Sequence, residues 1–281
     1  MFSDAVIVCT CGFNEGIVQF CLLLTTLKTA VMIALITGST SGIGKATAQR
    51  LARDGYDLIL TGRRNRQLEE TRKQISEIAD VRMLTLCFDV RKQEEVEHFL
   101  GQLPADWQSI DVLVNNAGLA AGLSPVNSGV LEDWEQMIDT NIKGLLYVTR
   151  VISPIMIANG RGHIVNIGSI AGKEVYENGN VYCATKHAVD ALTKAMRIDL
   201  LKHGIKVSSV NPGAVETEFS IVRFKGDHER AKAVYKGYEP LHPEDIADAI
   251  QYILSRPPHV TINDMLIMPT AQANATQFNR K

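Results

Sequence analysis

The chain has 281 residues, 46% of them apolar and 21% charged, with a formal net charge of −2. That length and polarity suffice for one large core in an ordinary soluble globule, and the near-neutral balance offers no electrostatic draw toward nucleic acid or an anionic membrane surface. Small molecules and further copies of the same chain are therefore the expected partners. Cys9, Cys11, Cys21, Cys87 and Cys183 are odd in number and lack the paired spacing of a disulfide framework or zinc site, which fits a reducing cytoplasm.

Residues 1–31 show neither helical periodicity nor strand alternation and read as an N-terminal extension, expected to be a poorly ordered terminus or an artefact of a start assigned upstream of Met32. Its longest apolar run, Phe20 to Leu27, is far shorter than a membrane span of about 20 residues, and no positive charge precedes it as a secretory signal would require. From Ile33 onward, short apolar runs alternate with longer amphipathic stretches, the pattern of repeated βαβ units. Strands are predicted at 33–37, 57–61, 82–87, 110–114, 162–167, 205–210 and 264–268. Helices are predicted near 42–54, 65–78, 92–101, 131–158, 180–203 and 243–255. Right-handed crossovers place these on both faces of a seven-stranded parallel sheet, a doubly wound Rossmann-type α/β fold. No repeat or linker divides 32–281, so one domain is expected. The charged stretch 216–240 reads either as a lid over a site or as a solvated helical excursion.

Thr37-Gly38-Ser39-Thr40-Ser41-Gly42-Ile43-Gly44 follows the first strand and opens the first helix, where bare backbone and a helix N-terminus can approach a pyrophosphate. At the end of the second strand, where an acid would meet a ribose 2′-hydroxyl, the sequence has Arg63-Arg64. Two guanidiniums suit a 2′-phosphate and point to NADP(H), the plainer alternative being a basic strand end in solvent. Tyr182 and Lys186 lie four residues apart on one helix face, where an ammonium favours the phenolate of its neighbour. Ser169, just beyond the fifth strand, can hold a reacting oxygen. Taken singly, Tyr182, Lys186, Ser169 and Asn141 each have a plainer explanation as interface, surface, cap or turn residue; behind a phosphate loop and in this order they argue for chemistry together.

The glycine spacing, with Asp89 and Val90 after the third strand, Asn115-Asn116-Ala117-Gly118 after the fourth, then Ser169, Tyr182, Lys186 and Pro212-Gly213, resembles the short-chain dehydrogenase/reductase family from Ile33 nearly to the C-terminus. The resemblance implies a tyrosine acid/base, with Asn141 anchoring a water that links Lys186 to solvent. It also implies that Gly38 through Gly44, Arg63, Arg64, Asp89, Val90, Asn116, Ala117, Gly118, Tyr182, Lys186, Pro212, Gly213, Ala214, Val215 and Thr217 hold the cofactor. A homotetramer built on the helices near 131–158 and 180–203 is implied too, with Leu145, Leu146, Val148 and Ala195 open to sheet packing as well. Segments 132–141, 179–182 and 218–227 are similar to the bacterial NADP-dependent 3-hydroxy acid (serine or allo-threonine) dehydrogenases. That implies a serine-like or 3-hydroxyisobutyrate-like acid, or a 3-oxo acid such as malonic semialdehyde in reverse. Arg223 or Lys225 could grip the carboxylate, or pair with Asp227 or Glu229 at the surface. Reduction of a different ketone, or an idle NADP-binding sensor, are the competing functions, and the Lys173-Glu174 pair in loop 170–179 is where specificity could have drifted.

Overall fold

The computed structural model describes residues 31–281. The expectations for the N-terminal extension, with Cys9, Cys11 and Cys21, lie outside the described residues. The remainder forms one seven-stranded, all-parallel sheet in the order β3-β2-β1-β4-β5-β6-β7. Its strands are β1 (Ile33–Ile36), β2 (Asp57–Gly62), β3 (Met83–Cys87), β4 (Ile110–Asn115), β5 (His163–Ile167), β6 (Lys206–Pro212) and β7 (Asp264–Ile267). Each predicted strand is present, with ends within two residues of expectation. The helices are α1 (Gly42–Arg53), α2 (Asn65–Ser76), α3 (Gln93–Gly101), α4 (Leu131–Ile138), α5 (Leu145–Ala158), α6 (Asn180–Leu200), α7 (Phe219–Arg223), α8 (His228–Ala233) and α9 (Pro243–Leu254).

β1 shows why the strands read as unbroken apolar runs. Ile33 and Leu35 pack into one cluster with Val96 of α3, Ile152 of α5 and Val189 of α6. Ala34 and Ile36 face the opposite cluster, with Leu51 of α1, Leu68 of α2 and Ile250 of α9. Both pleat faces are covered, so no position along the strand is free to be polar. β1 pairs with β2 on one side and β4 on the other, in register Ile36 to Leu60 and Ile36 to Val114. Here the chain reverses its direction of winding, which leaves a crevice beyond the carboxyl ends of the strands.

One predicted helix differs. The segment 131–158 is α4 and α5 joined by a π turn, Asp139–Gly144. Gly144 lies against Val90, where an added Cβ would meet the Val90 side chain at 2.9 Å, so the widened turn brings the backbone close to the loop after β3. Leu145 and Val148 are consumed by the core, whereas Leu146 and Ala195 stay exposed. Among the described residues no helix is long and apolar enough to cross a membrane, and no cluster of three metal-ligating side chains occurs.

Several polar side chains inside the sheet bond to one another, although Asn115 Oδ1 and Thr61 Oγ1 have no partner among the described residues. Asn115 of β4 donates to Asn166 of β5 at 2.9 Å and to Thr149 at 3.0 Å, and Asn166 donates onward to Thr193 at 2.9 Å. His163 of β5 sits 2.8 Å from the Ser208 hydroxyl, and burial, with the Lys206 charge, lowers its imidazole to about 4. The unfolded chain takes up this proton near the ordinary value of about 6.5 and the folded chain does not, so stability is lost as pH falls from about 6.5 toward 4. Urea midpoints at pH 7 and pH 4.5 should show wild type losing about 2–3 kcal/mol more than His163→Gln. Equal losses in the two proteins would show that His163 is not buried in neutral form.

Candidate active site

The loop after β1 is bound to both strands that flank it. Thr37 Oγ1 accepts the backbone N–H groups of Asn116 (3.0 Å) and Ala117 (2.9 Å), and the Ser39 N–H and hydroxyl both donate to the Thr61 carbonyl. Asn116 Nδ2 donates to the carbonyls of Thr37 and Gly38. Glycine is required at two points. Gly38 has φ +67°, and a Cβ on Gly44 would fall 2.3 Å from the Gly38 carbonyl oxygen, so only a bare helix turn can seat this closely on the loop. Ser41 precedes α1 in an extended conformation with no side-chain cap, and no acid occupies the first turn. The uncapped N-terminus, with Gly42 and Ile43, opens on a cleft of about 390 Å³. Unsatisfied amides, a favourable dipole and bare backbone together fit a dinucleotide's phosphates.

Gly62, Arg63 and Arg64 line the same cleft at the end of β2. Arg64 donates to Thr40 Oγ1 and Ser41 Oγ at 3.0 Å each and pairs with Glu218 at 3.0 Å. Arg63 lies 3.7 Å from Asp89, whose carboxylate Arg91 grips at 2.6 Å. Burial would raise the Asp89 carboxyl, but Arg91's hydrogen bonds and the Arg63 charge outweigh it and hold the group below its ordinary range. The end of β2 itself carries two arginines and no acid, a donor set that fits a 2′-phosphate.

At the other end of the cleft, Lys186 of α6 is buried and donates to the Ile167 carbonyl at 2.9 Å, and burial lowers its amine to about 8. Tyr182, one turn earlier, is buried against Phe219 at a ring separation of 5.6 Å. Burial and the neighbouring Tyr176 push its phenol above the ordinary value, while Arg223 and the Ser169 hydroxyl pull it back. Ser169 Oγ accepts the Ala171 N–H at 3.1 Å, which fixes the hydroxyl at the cleft wall. Asn141 lies in the π turn. Its side chain accepts the Leu119 N–H and donates to the Leu119 carbonyl, both at 2.9 Å, and donates to Thr185 at 3.0 Å. A Cβ on Gly118 would stand 3.3 Å from Asn141 Oδ1 and 3.6 Å from Lys186 Nζ, so both groups crowd one bare glycine face.

Most of the predicted residues meet at this cleft. Gly38, Thr40, Ser41, Gly42, Ile43, Arg63, Arg64, Val90, Asn116, Ala117, Gly118, Ser169, Tyr182, Lys186, Pro212, Gly213, Val215 and Thr217 all line it. Ser39, Gly44, Asp89, Asn141 and Ala214 stand behind the wall and support it; Ala214, for example, donates its N–H to Gln272 Oε1 at 2.8 Å. Phe88, Leu119, Thr140, Glu218, Phe219 and Val222 line the cleft without having been predicted, and the apolar ones carry no chemical signal that sequence could offer.

The two expected lid cations separate. Arg223 has no carboxylate partner among the described residues. Its guanidinium carbon lies 5.2 Å from the Tyr182 ring centre and 5.4 Å from that of Tyr176, whose hydroxyl it also bonds, and its Nε is buried without a partner. Lys225 instead pairs with Asp133 at 2.9 Å and does not line the cleft. Lys173 is bonded to Asp190 at 2.5 Å and Asp264 at 2.6 Å, and Glu174 accepts the Ala275 N–H, so both fasten the substrate-side loop to the scaffold.

Residues 32–227 match the family model of the short chain dehydrogenases. The NADP-dependent 3-hydroxy acid dehydrogenase of Salmonella typhi is 46% identical over 245 residues, 87% of this chain and 97% of that protein. A Schizosaccharomyces pombe protein of the same description is 44% identical over 248 residues, 88% and 96% of the two chains. The closed form of serine dehydrogenase complexed with NADP+ superposes with a TM-score of 0.84 at 42% identity, covering 89% of this chain and 100% of that one. A glycine cradle, a tyrosine with a buried lysine one turn on and this extent of similarity lead to one conclusion: the chain belongs to the short-chain dehydrogenase family.

Proposed function

We propose that the protein is an NADP(H)-dependent oxidoreductase acting on small 3-hydroxy acids of the serine, allo-threonine or 3-hydroxyisobutyrate kind, with malonic semialdehyde-type 3-oxo acids as the reverse substrates. The observation that carries this reading is the convergence of Ser169, Tyr182 and Lys186 on a cleft whose other end offers an uncapped helix N-terminus and Arg63 and Arg64. Bound in the cleft, the cofactor supplies the hydride acceptor or donor. The α1 N-terminus and Gly38 hold its phosphates, Arg63 and Arg64 its 2′-phosphate, and the Pro212–Thr217 segment its nicotinamide side.

Ser169, fixed by the Ala171 amide, donates to the reacting oxygen and orients it. Tyr182 takes the hydroxyl proton during oxidation and returns it during reduction. Burial raises the phenol, so the base must be made by cations: Arg223 stands beside it, and Lys186 is one helical turn on along α6. Asn141 holds the Leu119 backbone against the lysine and closes the route by which Lys186 exchanges protons with solvent. Arg223 is the carboxylate grip: an unpaired guanidinium Nε beside Tyr182 is a donor waiting for an anion. Residues 216–240, with α7 and α8, act as the lid that brings it over the site. The exposed Leu146 and Ala195 fit burial in a homotetramer, and free Cys87 and Cys183 fit a reducing cytoplasm.

Reduced-nicotinamide absorbance, followed with NADP+ or NAD+ and a panel of hydroxy acids and neutral alcohols, tests the reading. Tyr182→Phe should lower kcat/KM by at least about 10²-fold while cofactor binding persists. Turnover confined to NAD+, or to neutral alcohols, would remove the cofactor assignment or the substrate class respectively. Arg223→Ala should raise KM for acids by about tenfold or more and leave that for neutral carbonyl compounds nearly unchanged. Equal losses on both would take Arg223 out of the binding role.

A further inference from the structure

Arg64 is tied to both walls of the cleft. Its Nη2 donates to Thr40 Oγ1 and Ser41 Oγ and its Nη1 to the Glu218 carboxylate, each at 3.0 Å. The two hydroxyls are neutral and belong to the phosphate loop, but Glu218 comes from the far wall of the cleft, at the root of the 216–240 segment. Thr217 beside it lies close to Gly42, where an added Cβ would meet the threonine methyl at 3.2 Å. The pair therefore spans the cleft from the end of β2 to the segment after β6, and both residues line it. Among the described ion pairs, none other joins these two walls.

From this geometry we infer that Glu218 is a specificity-determining residue: its carboxylate holds Arg64 Nη1 and competes with a 2′-phosphate for that guanidinium. The inference rests on the NADP(H) reading above. Two anions share one guanidinium, and a dianionic phosphate beside the carboxylate is repelled by it. Both effects oppose the phosphorylated cofactor and spare the unphosphorylated one, so Glu218 narrows the preference for NADP(H) that Arg63 and Arg64 create. The opposition is modest, because the glutamate and arginine side chains are 51% and 42% exposed and water screens them.

The test is ligand affinity without turnover. Dissociation constants for NADP+, NAD+ and adenosine 2′,5′-bisphosphate are measured by protein fluorescence and calorimetry on wild type, Glu218→Gln and Glu218→Ala, with thermal melts confirming that the variants fold. Removing the charge should tighten NADP+ and the bisphosphate by about threefold to fivefold, the scale of one exposed ion pair, and change NAD+ by less than about twofold. The effect should shrink at high salt. Unchanged or weaker NADP+ binding in both variants overturns the inference, as does equal tightening of NAD+, which would mean a general field and not competition for Arg64. A wild type that does not discriminate NADP+ from NAD+ removes the cofactor reading and this inference together. A wild type that prefers NADP+, with variants unshifted, removes only the inference.

Discussion

The arrangement depends on β1 pairing in parallel with β2 and β4 at once. Strands on both sides force the chain to wind outward in opposite directions, and the loops leaving β1 and β4 must then diverge over the carboxyl edge of the sheet. The opening between them is a consequence of connectivity and needs no special residues to create it. What residues do is line it. Glycines admit backbone to backbone contact at 37–44, and β2 delivers two arginines to one end. β5 and α6 deliver Ser169, Tyr182 and Lys186 to the other.

The same constraint explains the chemistry of burial. Burial alone lowers the Lys186 amine, against the hydrogen bond to the Ile167 carbonyl, which favours the charged ammonium. Tyr182 is raised by the same burial. A buried site makes each charge near it more effective, and the Arg223 guanidinium is the cation that offsets burial at the phenol. Asn141 contributes differently: with three hydrogen bonds to Leu119 and Thr185 it fixes distances and adds no charge.

The fold was largely legible in sequence because strands covered on both faces must be apolar throughout and amphipathic helices must intervene; every strand and the six long helical segments follow from those two periodicities. The chemistry-bearing residues were legible because a phenol and an amine four apart, or arginines at a strand end, have few other uses in such a context. Three things were not. The π turn inside 131–158 leaves no mark in a hydrophobic pattern that is apolar on either side of it. The cleft walls made by Phe88, Leu119 and Phe219 look like any core residue until the loops are placed. Lys225 was a candidate because charge alone cannot reveal a partner about 90 residues away, and the structure gives it Asp133.

The π turn sets the phase of everything after it. One added residue in a helix rotates the downstream side chains by about 100° relative to those upstream. Met137 in α4 meets Leu119 and Tyr182, whereas Leu145, Val148, Ile152 and Met156 in α5 face the sheet. A single straight helix through these positions would bring one of the two stripes out of alignment. Removing the extra residue would thus trade the core against the tyrosine's surroundings, so the irregular turn acts as a coupling that lets one rod serve two differently oriented surfaces.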